Sequence, residues 1–156
     1  METDKTIVQE KTKRGNFTGS YYAEKDIESC FKLLQNPQKW WTGLYDETIT
    51  GRSSELNDEF SFSAGGGAHF STQKLTALDT NAKIEWHVME SNLNFVNNPK
   101  EWNNTKICFD LAKEGNRTLI TFTHKGLDPN LECYNSCSMA WETYLKKLEQ
   151  LMNNKI

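Results

Sequence analysis

The chain has 156 residues, of which 37% are hydrophobic and 25% are charged, and this length and composition are typical of one globular domain. Its net charge of −3 disfavours nucleic-acid binding, and we interpret the one short basic cluster, at residues 11–14, as a solvated lead. No run approaches the ~18 apolar residues of a membrane-spanning helix, and the charged start lacks the apolar stretch of a secretory signal. We therefore expect a cytoplasmic protein whose four cysteines are thiols.

The N-terminal part begins with a polar, flexible lead over residues 1–16, and we expect a single domain over residues 17–156. Within that domain, Asp26 is suited to cap a helix, because apolar residues recur after it with helical spacing. Pro37 ends this helix, since proline disfavours helical geometry in the residue before it. A second, short helical turn follows the proline.

The middle of the chain predicts strands joined by short turns. In Ile84, Trp86 and Val88 the apolar positions alternate strictly, so that Trp86 and His87 face opposite sides of a sheet. Residues 91–104 are polar and Asn-rich, which predicts a long loop of the kind that is often functional. The predicted strands cover residues 17–22, 45–50, 58–63, 68–79, 83–90, 105–111 and 117–125.

From about residue 129 to residue 152 the apolar period changes to three or four residues, which predicts a long amphipathic helix of about six turns. This helix is the only predicted element large enough to cover one face of an antiparallel meander. The fold class is therefore α+β, with a curved antiparallel sheet wrapped on a long C-terminal helix and two short helices after the first strand. Because one helix cannot fill a concave sheet, the arrangement predicts a cavity between them.

Several motifs are spread along the chain: Trp40-Trp41, Gly51 and residues 58–60, 69–71, 83–88, 101–105, 121–127, 132–137 and 141–144. Together they resemble the START-related helix-grip superfamily (SRPBCC), which includes birch-pollen-allergen-like proteins, polyketide cyclases and homologues of the activator of heat-shock-protein-90 ATPase. The resemblance covers roughly residues 17–151 and implies the helix-grip fold. It does not select one function, because the same scaffold serves carriers, enzymes and co-chaperones.

Aromatic residues make up 12% of the chain, which favours either a solid aromatic core or a cavity with aromatic walls. The sequence leaves both open. If the cavity exists, we expect its ligand-binding residues to come from different elements that converge on one volume. The predicted lining residues are Trp41, Phe62, His69, Trp86, Trp102, Phe109, Tyr134 and Trp141.

Cys133 and Cys137 are four residues apart on the predicted helix and therefore share a face. Such a pair is compatible with half of a metal site or with a redox pair, but a full zinc site needs two more ligands. Glu132 is next to Cys133 and is expected to raise the pKa of its thiol, which disfavours a reactive thiolate. We interpret both cysteines as buried apolar side chains and predict neither a metal nor a cofactor.

Three functions fit these features. The first is binding of a small apolar or amphipathic ligand; the second is a protein-partner module similar to the chaperone ATPase activators, which predicts an exposed apolar patch. The third is a cyclase- or hydratase-like enzyme that orients its substrate with His69, His124 or Glu132. No nucleophile with an evident base is present, which favours a binding protein over an enzyme. The long loop and the sheet edges leave a homodimer open.

Overall fold

The computed structural model describes residues 15–153, so the predicted lead over residues 1–16 lies almost wholly outside the described residues. The order of elements agrees with the predicted one. They are β1 (Asn16–Ala23), α1 (Ile27–Leu34), α2 (Pro37–Trp40), β2 (Thr48–Gly51), β3 (Glu59–Ala64), β4 (His69–Asp79), β5 (Lys83–Leu93), β6 (Lys106–Glu114), β7 (Arg117–Lys125) and α3 (Tyr134–Met152), with a 3₁₀ turn at Gly65–Gly67.

The seven strands form one curved antiparallel sheet in the order β1-β7-β6-β5-β4-β3-β2. Strands β2 to β7 are a meander, because each pairs with its neighbour along the chain. Strand β1 closes the other end by pairing with β7, from Asn16 opposite Lys125 to Ala23 opposite Thr118. The long helix α3 covers the concave face, which confirms the predicted fold class.

Local signals explain the first helix. The Asp26 carboxylate accepts a hydrogen bond from the Ser29 amide at 3.1 Å, so it caps α1 as predicted. The helix buries Cys30, Phe31 and Leu34 on one face. Helix α1 ends before the short helix α2, which starts at the proline.

Strand β5 extends to Leu93, three residues beyond its predicted end. The reason is a bulge, since Thr72 pairs with Glu90 while Gln73 pairs with Val88, leaving an extra residue in β5. The extra residue reverses the inward–outward alternation and hides the rest of the strand from a pattern of period two. Before the bulge the prediction holds: Trp86 is buried, whereas His87 is only partly buried.

The C-terminal helix starts at Tyr134, later than the predicted start near residue 129. Asp128 holds the preceding residues in a turn, because its carboxylate accepts the Asn130 amide at 2.8 Å and its carbonyl accepts the Leu131 amide at 2.8 Å. Glu101 then caps the start of α3 from a distant part of the chain. Its carboxylate accepts the amides of Glu132 at 2.8 Å and Cys133 at 3.0 Å.

The core contains a cluster of near-parallel tryptophans. Trp40 lies 5.9 Å from Trp41 and 6.2 Å from Trp86, measured between ring centroids, and the interplanar angles are 12° in both pairs. All three are almost fully buried. Within residues 15–153, no helix is both long enough and apolar enough to span a membrane.

Candidate functional site

A cavity of about 230 Å³ lies between α3 and the strands β3 and β4. Its walls are aromatic: Trp41, Phe62, Trp102 and Trp141 all line it and are buried. The side chain of Trp41 stacks on Phe62 at 4.1 Å and on Trp141 at 5.1 Å between ring centroids, so the wall is continuous from the sheet to the helix.

The mouth of the cavity is formed by lining residues that are also exposed. Tyr45 and Phe95 are 54% and 45% exposed, and Gly65 is also exposed. On the helix side, the cavity is lined by Ser136, Cys137, Ala140 and Tyr144. Small side chains at several of these positions leave the space that the large aromatic residues surround.

Of the eight predicted lining residues, the structure places five at the cavity: Trp41, Phe62, His69, Trp102 and Trp141. The other three lie elsewhere. Trp86 is one layer deeper, where its ring lies 6.2 Å from Trp41 and its indole N–H donates to Ser53 at 2.8 Å. Phe109 packs edge-on against Trp86 at 6.0 Å, and Tyr134 is partly buried against the core at the start of α3.

Sequence reasoning missed Tyr45, Phe95 and Tyr144, as well as the small residues of the lining. A signal existed for Tyr144, because Cys137, Trp141 and Tyr144 follow each other at helical spacing on one face of α3. No signal existed for Ala64 and Ala68, whose role is to leave space and whose side chains carry no recognisable chemistry.

His124 is fully buried on β7, behind the cavity wall, in a chain of hydrogen bonds. The indole N–H of Trp141 donates to His124 Nδ1 at 3.0 Å, so Nδ1 is the acceptor and the proton of the neutral ring is on Nε2. Nε2 lies 2.9 Å from Thr105 Oγ1, which donates in turn to the carbonyl of Trp102 at 2.7 Å. Burial, together with the nearby His69, lowers the pKa of His124 to about 3. Its two nitrogens hold the walls Trp141 and Trp102 in position.

His69 begins β4 and lines the cavity directly. Burial lowers the pKa of its imidazole to about 4, so the ring is uncharged at neutral pH. Its Nε2 atom and the indole Nε1 of Trp102 are buried and have no hydrogen-bond partner among residues 15–153. The two rings touch edge to face, with centroids 4.4 Å apart and planes at 85°.

The loop between α2 and β2 forms one side of the mouth and is attached to α3. The carboxylate of Glu47 accepts the amides of Gly43, Leu44 and Tyr45 and also the hydroxyl of Tyr144. Burial alone would raise the pKa of Glu47. The hydrogen bonds from Tyr144 and the loop amides outweigh burial, so the pKa lies below its usual range. Glu47 is therefore ionised and keeps the Tyr144 hydroxyl occupied.

Glu132 is exposed, and its carboxylate accepts the Asn97 amide at 2.9 Å, outside the cavity. Cys133 and Cys137 are both buried free thiols. The pKa of Cys133 is raised by its hydrogen bond with Cys137, then by burial and by the carboxylate of Glu101. The carboxylate that acts on the thiol is therefore the distant Glu101 and not the adjacent Glu132. In the described part of the chain, no three His, Cys, Asp or Glu side chains come together as a metal site.

Several solved structures have a similar fold, at sequence identities that show the fold alone. The solution structure of the Aha1 dimer from Colwellia psychrerythraea has a TM-score of 0.70 and 23% identity, covering 89% of this chain and 96% of that chain. A protein from Mesorhizobium loti has a TM-score of 0.66 and 18% identity, covering 88% of this chain and 96% of that chain. The major latex-like protein 151 of Panax ginseng has a TM-score of 0.62 and 13% identity, covering 88% of this chain and 97% of that chain.

The family model described as Activator of Hsp90 ATPase homolog 1-like protein matches residues 27–153. This range runs from the start of α1 to the end of α3 and includes every residue that lines the cavity. No curated protein sequence matches the chain.

Proposed function

The chain belongs to the family of Activator of Hsp90 ATPase homolog 1-like proteins, and from this premise we propose that it binds a small apolar or amphipathic molecule between α3 and the sheet. The family match confirms the resemblance read from the sequence motifs. The observation that supports the proposal is the cavity of about 230 Å³ with its aromatic walls. Small-molecule sites are typically concave and apolar, with a few polar groups that fix orientation.

The size of the cavity limits the ligand. An apolar protein cavity of roughly 150 Å³ holds one benzene molecule, so by proportion 230 Å³ holds about nine non-hydrogen atoms. The ligand is therefore the size of a substituted benzene ring. Larger amphipathic molecules fit only if part of them extends through the mouth between Tyr45 and Phe95.

Native mass spectrometry of the protein as purified from cells tests the proposal, with denaturation to release what is bound. We expect a reproducible additional mass of a small molecule. Replacement of Ala140 by Phe fills the cavity from α3, so the Ala140→Phe protein is expected to lose this mass. The matched control is Ala112→Phe, because Ala112 is exposed on β6 and the same change leaves the cavity open. A wild-type protein that carries no small molecule, and binds none from a library of substituted benzenes, contradicts the proposal.

A second candidate function is supported by exposed apolar side chains, of which Phe95 also lines the cavity. Phe95 is 45% exposed and Met139, next to Ala140, is 65% exposed. These residues offer a contact surface for a protein partner, and the family description suggests Hsp90. Stimulation of Hsp90 ATPase activity that is lost in Phe95→Ser or Met139→Ser, but kept in Leu56→Ser at another exposed site, supports this function. An ATPase rate that the wild-type protein leaves unchanged contradicts it.

The Aha1 of Colwellia psychrerythraea was solved as a dimer. We propose a homodimer here as the corresponding state, with light scattering as the test. A monomeric mass at all concentrations contradicts it.

A further inference from the structure

We infer that the cavity selects neutral ligands that carry a carbonyl oxygen, and that Trp102 and His69 bind this oxygen. The inference rests on the proposed binding function and specifies the chemical class of ligand. It combines three observations: an unpartnered indole N–H, an unpartnered imidazole nitrogen beside it, and a cavity lining without charged side chains.

The first observation comes from comparing the indole N–H groups of four of the five tryptophans: Trp40, Trp86, Trp141 and Trp102. Trp40 donates its N–H to the Leu34 carbonyl at 3.4 Å, Trp86 donates to Ser53 at 2.8 Å, and Trp141 donates to His124 at 3.0 Å. Trp102 is equally buried, at 2% exposure, but its N–H has no partner among residues 15–153. A buried donor without an acceptor is costly, and an indole N–H can only donate. The missing partner is therefore a hydrogen-bond acceptor.

The second observation is the position of His69. Its Nε2 is also buried and unpartnered, and its ring lies against Trp102 with centroids 4.4 Å apart. The imidazole is uncharged at neutral pH, because burial lowers its pKa to about 4. With its proton on Nε2, His69 supplies a second donor beside the first. A carbonyl oxygen has two lone pairs and accepts both hydrogen bonds.

Both nitrogens are shut off from solvent, although both side chains line the cavity. A ligand oxygen therefore reaches them only when the two rings rotate to turn these nitrogens towards the cavity. This rotation is local, because the backbone of Trp102 is held separately by Thr105, whose hydroxyl donates to the Trp102 carbonyl at 2.7 Å.

The third observation concerns charge. The cavity lining within the described chain contains no Asp, Glu, Lys or Arg side chain. An anionic ligand would lose its hydration without gaining a counter-ion, which is strongly unfavourable. The carboxylate of Glu47 accepts the hydroxyl of Tyr144, which lines the cavity, and this negative charge would repel an anion. The cavity therefore favours a neutral carbonyl compound over a carboxylate.

The test uses three probes of about nine non-hydrogen atoms, the size that the cavity accepts. Acetophenone carries a neutral carbonyl, α-methylstyrene has a methylene group in place of the oxygen, and benzoate is an anion of the same size. Each is titrated into ¹⁵N-labelled protein and followed by the five indole N–H resonances. We expect acetophenone to move the Trp102 indole proton downfield, as a new hydrogen bond does, and α-methylstyrene to leave it without this shift. Benzoate is expected to bind about a hundredfold more weakly than acetophenone.

Variants separate the hydrogen bond from packing. His69→Leu is expected to weaken the binding of acetophenone about tenfold, which is the effect of losing one buried hydrogen bond. The affinity for α-methylstyrene is expected to change by less than about twofold. Ser71→Ala is the matched control, because Ser71 is two residues along β4 and also has a buried, unpartnered oxygen, but does not line the cavity. It is expected to change neither affinity.

The outcomes distinguish the two proposals. If acetophenone and α-methylstyrene both bind but the Trp102 resonance does not respond, or if His69→Leu weakens both equally, the carbonyl specificity is refuted and the binding cavity stands. Binding of benzoate as tight as that of acetophenone refutes the selection for neutral ligands. If none of the three probes binds to the wild-type protein, the carbonyl specificity is refuted, and native mass spectrometry with the library of substituted benzenes decides the proposed binding function separately.

Discussion

Lowering the pH from 7 to 5 is expected to destabilise the fold through His124, which is fully buried and uncharged. Burial and the neighbouring His69 lower its pKa to about 3, whereas a histidine in the unfolded chain has a pKa of about 6.5. Between these two values the unfolded chain binds a proton that the folded chain does not bind. The contribution of His124 is therefore fully present above pH 6.5 and is lost as the pH falls towards 3.

The two pKa values determine the size of the effect. At pH 5, a histidine in the unfolded chain is almost fully protonated, whereas His124 in the folded protein is not. This difference lowers the free energy of unfolding by about 2 kcal/mol. His69 has a folded pKa of about 4 and adds about 2 kcal/mol by the same reasoning. The sum of about 4 kcal/mol is a large share of the free energy of unfolding of a typical domain, which is roughly 5–15 kcal/mol.

Urea unfolding, followed by circular dichroism at pH 7, 6 and 5, measures this loss. His124→Gln keeps an amide that can hydrogen-bond but cannot be protonated, so its difference between pH 7 and pH 5 should be smaller than that of the wild type by about 2 kcal/mol. Ile107→Val is the control, because it weakens the buried core without changing a titratable group. It should keep the full pH dependence. A His124→Gln protein with the same pH dependence as the wild type refutes the reasoning.

Three further predictions follow from the hydrogen bonds around the site. Tyr144→Phe removes the hydroxyl that donates to Glu47 and should lower the free energy of unfolding, measured in urea, by about 1–2 kcal/mol. Tyr22→Phe, which removes an exposed hydroxyl, is the control. An unchanged urea midpoint for Tyr144→Phe contradicts the role of Tyr144 in holding the loop. Glu101→Ala leaves two amides at the start of α3 without their acceptor and should cost about 1–2 kcal/mol in thermal unfolding, whereas stability equal to the wild type would show that water replaces the carboxylate. The pKa of the Cys133 thiol is raised and its side chain is buried, so iodoacetamide at pH 7 should modify it far more slowly in the native protein than in urea. Mass spectrometry measures the two rates, and equal rates would show that the thiol is accessible.

The sequence determined those features of the protein that depend on near neighbours along the chain. The Asp26 cap, the alternation of Ile84, Trp86 and Val88, and the period of α3 are each set by residues within a few positions of one another. Their order was enough to predict the antiparallel sheet with a covering helix. The extent of β5 was missed because the bulge near Glu90 breaks the alternation on which the prediction depended.

Only the tertiary structure decided which aromatic residues line the cavity and which fill the core. Trp41 and Trp86 have identical side chains, but Trp41, which follows α2, faces the cavity, whereas Trp86, on the central strand β5, lies behind it. The cap that Glu101 provides to α3 and the hydrogen bond between His124 and Thr105 join residues 31 and 19 positions apart. Such pairs leave no local pattern in the sequence, since the distance between their atoms is set by the packing of whole elements against one another.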